Sequence, residues 1–316
     1  MPGPPTLARR PAARWSGDVT VENQTGAEPI VVDRALARIV EGALVADVAA
    51  YVTGLAGAPV GAGDGGVVTG PSARRVAVAD GWAAFTGPGL FANRVQGTGL
   101  ARDAVAGSEH FAVLEDFAAE HGVVPELELC PLADRSWWRL AGERGYRLQG
   151  FRNVYVRTTS DPRPVAAPVG PAADIAVAAV DGVAFDAWSA VLLDGFGYDD
   201  GPARRRVARW NRMLSACPQA TLLLATLDGE PVGASNLLVH GTVASLGGTT
   251  TLPEHRRRGV QRALLTARLA VARAAGCTLA VVTADAGSTS ARNIERHGFR
   301  LAYTNTRLRR GDSDRA

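Results

Sequence analysis

The stretch Thr250-Thr251-Leu252-Pro253-Glu254-His255-Arg256-Arg257-Arg258-Gly259-Val260-Gln261-Arg262-Ala263-Leu264-Leu265 decides how this chain is read. Its apolar start closes at Leu252-Pro253. Three arginines and a glycine follow, and from Val260 onward apolar residues recur at three- and four-residue spacing. The pattern is a strand, a short basic turn and the opening of an amphipathic helix. Such a turn aims consecutive backbone N–H groups at one point. The helix N-terminus adds the positive end of its dipole there, and Arg256, Arg257 and Arg258 add full charges. These residues describe a site for an anion such as a diphosphate.

Working outward, Val183–Leu193 and Arg204–Leu214 read as helices, the second with arginines on its outer face. Thr221–Leu227 and Pro231–Val239 are strands joined by Asp228-Gly229, a strong hairpin signal. Val243–Leu252 is a third strand. Val260, Leu264, Ala267, Val271 and Ala274 then mark a helix that stops at Gly276. Thr278–Thr283 is an apolar strand following directly, so a parallel crossover is expected. Ser288–His297 is a short helix with Ser288 as N-cap and Gly298 as C-cap, and Phe299–Leu308 is the last strand.

Residues 158–173 hold four prolines and no apolar period, so they are expected to link two lobes. The expected organisation is a loose tail over 1–26, a first lobe over 27–157, the linker, a second lobe over 174–310 and a tail over 311–316. A Gly-rich loop over 54–75 is expected inside the first lobe. Gly145-Tyr146-Arg147-Leu148 near the end of the first lobe matches Gly298-Phe299-Arg300-Leu301 in the second at an offset of 153 residues. The same offset lays Ser108–His121 on Gln261–Ala274 and Glu126–Leu129 on Leu279–Val282, which suggests a distant repeat. It also sets Asp103 against Arg256 and Leu140 against Asn293. A carboxylate repels a diphosphate, so only the second lobe is equipped for the anion; the first is a scaffold, lid or wall.

Composition excludes several classes. All 34 positive residues are Arg and there is no Lys, so neither a Schiff-base lysine nor a P-loop lysine is available. A net charge of +3 does not suit bulk nucleic-acid binding, and the Arg204–Arg209 run reads as a solvated helix face. Cys130, Cys217 and Cys277 are too scattered for disulfides or zinc, and no histidines pair at metal-ligand spacing. The expectation is a cytoplasmic protein with no metal, no nucleic-acid partner and no membrane span.

The second lobe resembles the GNAT superfamily of N-acetyltransferases. The family's phosphate loop, (Gln/Arg)-x-x-Gly-x-(Gly/Ala), is matched by Arg256-Arg257-Arg258-Gly259-Val260-Gln261 after Thr251-Leu252-Pro253. The following strand, the Asn293-bearing helix and Gly298-Phe299 agree in order with the family's later segments. Two positions depart from it. Gln261 stands where Gly or Ala is usual, and Ile294 stands where many members carry a tyrosine that protonates the leaving thiolate. The first lobe is similar to a degenerate copy. The resemblance implies an α/β fold of two tandem GNAT-like lobes, each a mixed, mostly antiparallel twisted sheet flanked by helices.

It further implies acetyl-CoA as co-substrate and a small-molecule or peptide amine as acceptor, joined by direct attack in a ternary complex. The implied CoA contacts are Thr250, Thr251 and Leu252 on the strand, Arg256, Arg257, Arg258, Gly259, Val260, Gln261 and Arg262 around the turn, and Thr283 and Asn293 opposite. Backbone amides near Thr250 or Thr251 are expected to polarise the thioester carbonyl. The central strands carry no carboxylate to take the amine's proton; Asp285 is the first candidate for that role, with transfer to water as the route that needs no dedicated base. The loop bearing Asp194, Phe196, Tyr198 and Asp199, together with Asn236, is expected to meet the acceptor. Because Ile294 removes the usual acid, a non-catalytic acyl-CoA-binding regulator or scaffold stands as the alternative. Oligomeric state cannot be read.

Overall fold

The computed structural model describes residues 30–57, 74–90, 92–161 and 174–311. The expected tail at 1–26, most of the Gly-rich loop and most of the linker lie outside the described residues. The elements are α1 (Arg34–Gly57), β1 (Arg74–Val78), β2 (Gly81–Phe85), β3 (Val95–Gln96), α2 (Ser108–Glu120), β4 (Glu126–Leu129), α3 (Ser136–Glu143), β5 (Tyr146–Thr158), β6 (Ile175–Ala179), α4 (Phe185–Gly195), α5 (Pro202–Ser215), β7 (Ala220–Leu227), β8 (Glu230–His240), β9 (Val243–Thr251), α6 (Val260–Ala274), β10 (Leu279–Asp285), α7 (Thr289–Arg296) and β11 (Arg300–Arg310).

Local chemistry sets these limits. Asp228 and Gly229 both take positive φ, 53° and 85°, the twist a two-residue hairpin demands. The Ser288 hydroxyl accepts from the Ala291 amide at 3.1 Å and caps α7. The 153-residue offset is structural as well: it lays α3 on α7 end for end and β4 on the start of β10, and α2 falls within one residue of α6. Gly145 and Gly298, at equivalent places, share φ values of 78° and 81°.

Among the described residues, eleven strands form one sheet in the order β1-β2-β3-β4-β11-β5-β10-β9-β8-β7-β6. The final strands are exchanged. β5, from the first lobe, pairs with β10 from Leu279↔Thr158 to Asp285↔Arg152. β11, from the second, pairs with β4 from Thr306↔Leu129 to Arg309↔Glu126. β5 and β11 then pair antiparallel with each other from Arg300↔Val156 to Arg310↔Tyr146, forming a seam about which the sheet is nearly symmetric, with β6 as the extra strand on one side. On the second half of the sheet, α6 and α7 cover one face with a core of Leu264, Leu265, Ala291 and Phe299. The other face holds α4 and α5, with Trp188 and Leu214. The long helix α1 was not expected from the sequence. It packs on β9 and α5 as well as on β2, so a first-lobe helix covers second-lobe strands.

A buried polar network crosses the exchange. The Glu41 carboxylate on α1 accepts from Tyr303 Oη at 3.0 Å and Asn305 Nδ2 at 2.9 Å, both on β11. Asn305 also reaches Glu128 on β4 at 3.3 Å, and Glu128 pairs with Arg94 at 3.0 Å. Burial pushes the Glu41 carboxyl up from 4.5 to about 7, against the bonds from Asn305 and Tyr303. Burial acts on Glu128 in the same direction, but Arg94 and Arg152 outweigh it and hold that carboxyl low.

Two outcomes follow from the shared sheet. Truncation after Phe299 removes β11 from between β4 and β5, and should abolish the cooperative melting of the whole chain in calorimetry; survival of a first-lobe transition would show that the halves stand alone. Glu41 titrates at a higher pH folded than unfolded, so its contribution is fully present below pH 4.5 and is lost as pH rises toward 7. Glu41→Gln should therefore flatten the pH dependence of chemical-denaturation stability across that window and raise stability at pH 8 by on the order of 1–3 kcal/mol; an unchanged slope would contradict this account of the carboxyl.

Candidate functional site

β9 and β10 run parallel for only three residue pairs, Val243–Ser245 against Leu279–Val281. Beyond them β9 stays with β8 and β10 stays with β5, so the two strands diverge. A register break between Ser235 and Leu237 bends β9 at this place. Gly247 leaves room there for the Asn236 side chain, whose Oδ1 a methyl on the glycine Cα would displace. Asn236 Nδ2 lies 3.5 Å from the Gly248 carbonyl.

A cavity of about 440 Å³ fills the gap. Gly247, Gly248 and Thr249 line one side and Val282 and Thr283 the other. On the α6 face it meets Gln261, Leu265, Arg268 and Ile294; on the opposite face it meets Asp47, Tyr51, Phe196, Tyr198 and Trp210. Arg94 and Arg152 of the first lobe complete the wall. A ligand seated in it would thread the sheet from face to face.

The turn before α6 stands near the α6 mouth. Gly259 is the N-cap, with φ 94° and ψ −1°, and Arg257 is also left-handed at φ 64°. Among the described residues, no acceptor meets the amides of Arg258, Gly259, Val260 or Gln261. The corresponding first-lobe turn is closed on itself. Ala106 N donates to Ser136 Oγ at 2.7 Å, Gly107 N to His110 Nδ1 at 3.0 Å and Val105 N to the Asp103 carbonyl at 2.8 Å. Four open amides beside a helix dipole can take an anion; amides already bonded to their own chain cannot.

The arginines of the turn are deployed unequally. Arg256 turns back, with Nε 3.4 Å from the Thr251 carbonyl and Nη2 3.3 Å from the Gly195 carbonyl, and so pins the turn to the end of α4. Arg258 Nη1 lies 3.3 Å from His255 Nδ1. Arg257, Arg258 and Arg262 remain on the rim. Asn293 Nδ2 reaches Gln261 Oε1 at 3.3 Å, so the glutamine at the departing loop position is turned toward α7.

Some expected site residues converge here and others do not. Phe196, Tyr198, Asn236, Gln261 and Thr283 line the cavity. Thr250, Thr251 and Leu252 do not. Thr250 is buried against Gly195, where a methyl would overlap its hydroxyl. The part of β9 that faces the cavity is Ser245–Thr249, upstream of the expected amides. Asp194 is exposed and pairs with Arg204 at 2.7 Å, and Asp199 is exposed; both stand outside the cavity. Arg204 also donates to the Tyr198 carbonyl at 2.8 Å, so the basic run on α5 braces the loop that follows α4. Asp285 is exposed at the end of β10 and lies off the cavity lining. β10 carries it past the gap, opposite Arg152 on β5.

The carboxylate that does line the cavity is Asp47 of α1. Its Oδ1 lies 2.7 Å from His240 Nε2 and its Oδ2 2.5 Å from Ser245 Oγ. Burial raises its carboxyl above the ordinary value, opposed by the bonds from His240 and Ser245. Sequence reasoning missed Asp47 because it belongs to the other lobe. It also missed Arg268, although an arginine in the buried stripe Leu264, Leu265, Arg268, Leu269, Ala272 was the available signal.

Residues 185–299 match the model of the Acetyltransferase (GNAT) family. No curated protein sequence matches the chain. The structure is similar to a GCN5-related N-acetyltransferase from Kribbella flavida, with a TM-score of 0.56 at 19% identity over 85% of this chain and 96% of that one. It is also similar to a tandem GNAT protein from the clavulanic acid biosynthesis pathway, with a TM-score of 0.53 at 15% identity over 84% and 96% of the two chains. A GCN5-related N-acetyltransferase from Sphaerobacter thermophilus gives a TM-score of 0.53 at 18% identity over 75% of each chain. At these identities the likeness is one of fold. The segment 185–299 is thus a GNAT acetyltransferase domain, set in a chain with the fold of tandem GNAT proteins.

Proposed function

We propose that the chain is an acyl-CoA-dependent N-acyltransferase that passes an acetyl group from acetyl-CoA to a primary amine by direct attack in a ternary complex. The observation that carries this reading is the open amide cradle at Arg258–Gln261, beside a cavity that passes between two diverging strands. Acetyl-CoA supplies the activated thioester when bound. The four amides hold its diphosphate, with Arg257, Arg258 and Arg262 as outer charges. The β9 edge from Leu246 to Thr249, with Thr283 across the gap, receives the pantetheine arm, and Asn293 stands beside it through Gln261. Backbone donors along Gly247–Thr249 are nearest the gap and are assigned to polarise the carbonyl.

The amine enters from the other face, past Phe196 and Tyr198, whose rings suit a cationic or amphipathic group. Asp47 is assigned as its proton acceptor. Ser245 and His240 fix both carboxylate oxygens, and burial keeps the carboxyl more basic than usual. As the nitrogen bonds to the acyl carbon and the carbon–sulfur bond breaks, the amine proton passes to Asp47. Ile294 lines the cavity in place of the family's tyrosine, so the departing sulfur has no side-chain acid at that position. This last observation favours the second reading, a regulator that binds acyl-CoA without turnover.

The two readings separate when free thiol is followed with acetyl-CoA and a panel of amines. Thiol release with at least one amine is expected; thermal stabilisation by acetyl-CoA with no release from any amine would leave the regulator. In the active system, Asp47→Asn should lower kcat/KM by roughly 100-fold or more and remove the acid limb of the pH–rate profile, with stabilisation by acetyl-CoA retained. An unaltered acid limb would reassign the proton to water. Gly259→Val forces a branched residue into left-handed backbone; it should weaken CoA binding at least about tenfold by calorimetry while cooperative unfolding persists. Unchanged affinity would place the diphosphate elsewhere.

A further inference from the structure

Arg268 is the charged group that the proposed chemistry leaves without a task. It lies within α6, is only 4% exposed, and lines the cavity where β9 and β10 part. Its Nε is buried and meets no acceptor among the described residues, and its Nη1 lies 3.4 Å from the Gly247 carbonyl, a weak contact. Among the described residues, no carboxylate pairs with it. Burial alone pushes its guanidinium down to about 9. Elsewhere in the molecule Arg94, Arg144 and Arg157 meet Glu128, Glu115 and Asp161. A desolvated guanidinium without a counter-ion is costly to fold. Its retention in an otherwise apolar stripe makes sense if the anion arrives with a ligand.

We infer that the cavity takes a ligand bearing a carboxylate, which Arg268 receives on its free donors. A carboxylate matches one guanidinium in charge and in planar, forked geometry. A dianionic phosphate would leave a charge uncompensated among Leu265, Val282, Ile294 and Phe299. The inference rests on the acyl-CoA reading for the identity of the ligand, and two sources share this chemistry. One is a donor whose acyl chain ends in a carboxylate. The other is an amine acceptor that carries a carboxylate. Arg268 projects from α6, on the same face as the amide cradle, while Asp47 and Tyr51 lie on the opposite face; this arrangement points to the donor.

The test uses the full chain and follows thiol release in two arms. The first compares succinyl-CoA and malonyl-CoA with acetyl-CoA and butyryl-CoA at a fixed amine. The second compares amino acids with their carboxamides at a fixed donor. A preference for the carboxylate form on the order of 10- to 100-fold in kcat/KM is expected in one arm, and that arm identifies the source. Arg268→Met should remove the preference, leave turnover of the neutral analogue within about threefold, and raise the melting temperature, because an unpaired buried charge is gone. Arg268→Lys keeps the charge without the fork and should restore the preference only in part. Equal kcat/KM for charged and neutral forms in both arms, or a preference that survives in Arg268→Met, overturns the inference. If no thioester is turned over, the acyltransfer reading fails separately. Stabilisation by succinate or by an amino acid, seen in the parent chain and lost in Arg268→Met, then still supports a carboxylate site, and its absence rejects one.

Discussion

The antiparallel seam between β5 and β11 is the constraint on which the remaining structure depends. Each of these strands is the last of its own half, yet each takes its outer neighbour from the other half: β5 from β10 and β11 from β4. Backbone groups of both strands are thereby satisfied on both edges by partners remote in sequence. Neither half can close its sheet without the other's final strand, which binds the two copies more tightly than a surface contact between finished domains would. The Glu41–Tyr303–Asn305–Glu128 network lies across the same junction. It is composed so that the buried acid on α1 finds its donors only when β11 is in place.

This arrangement explains why a degenerate repeat is retained. The two halves share a frame that agrees to within a residue at several elements, but not its chemistry. In the first half, Ser136 and His110 occupy the amides that the second half leaves open. Asp80 in addition gathers the amides of Gly99, Leu100 and Ala101 at 2.6 to 2.8 Å. A loop satisfied by its own side chains has no free energy to gain from an anion. A loop whose amides have no partner among the described residues can turn them to an anion. The first half contributes directly to the second half's cavity: α1 places Asp47, and β5 places Arg152, on its wall.

Much of this frame is visible in the sequence because it depends on local signals. The Asp228-Gly229 turn, the Ser288 cap, the Gly298 stop and the apolar period of α6 act over a few residues. So do the arginine-flanked turn at Gly259 and the 153-residue echo, and each is found where it was expected. What could not be read is everything set by the exchange. Nothing in Phe299–Leu308 says that it pairs with Glu126–Leu129 instead of Leu279–Asp285. The site follows the same division. Gln261, Thr283, Phe196 and Tyr198 come together because elements adjacent in sequence place them. The expectation of Asp285 rested on its position after the parallel strand, but β5 holds that strand straight past the gap and leaves Asp285 exposed. The carboxylate actually facing the cavity comes from about 200 residues upstream, on a helix with no obvious relation to the second half.

The charges around the cavity are also distributed by lobe. Arg94 and Arg152, supplied by the first half, have Glu128 as counter-ion at 3.0 and 3.8 Å. Asp47, from the same half, is held by His240 and Ser245 of the second. These groups were desolvated in sets that largely neutralise themselves, and breaking any one would strand its partner in a dry environment. Arg268 belongs to the second half alone and has no such set among the described residues. Had its role been structural, an apolar residue of similar length would have filled the same volume between Leu265 and Phe299 without the cost of desolvating a charge. Its place at the gap, against the Gly247 carbonyl where β9 bends, instead puts a positive charge with no counter-ion among the described residues on the wall of the cavity. The cavity is therefore polarised along its length, with the buried carboxylate of Asp47 on one face and the guanidinium of Arg268 on the other.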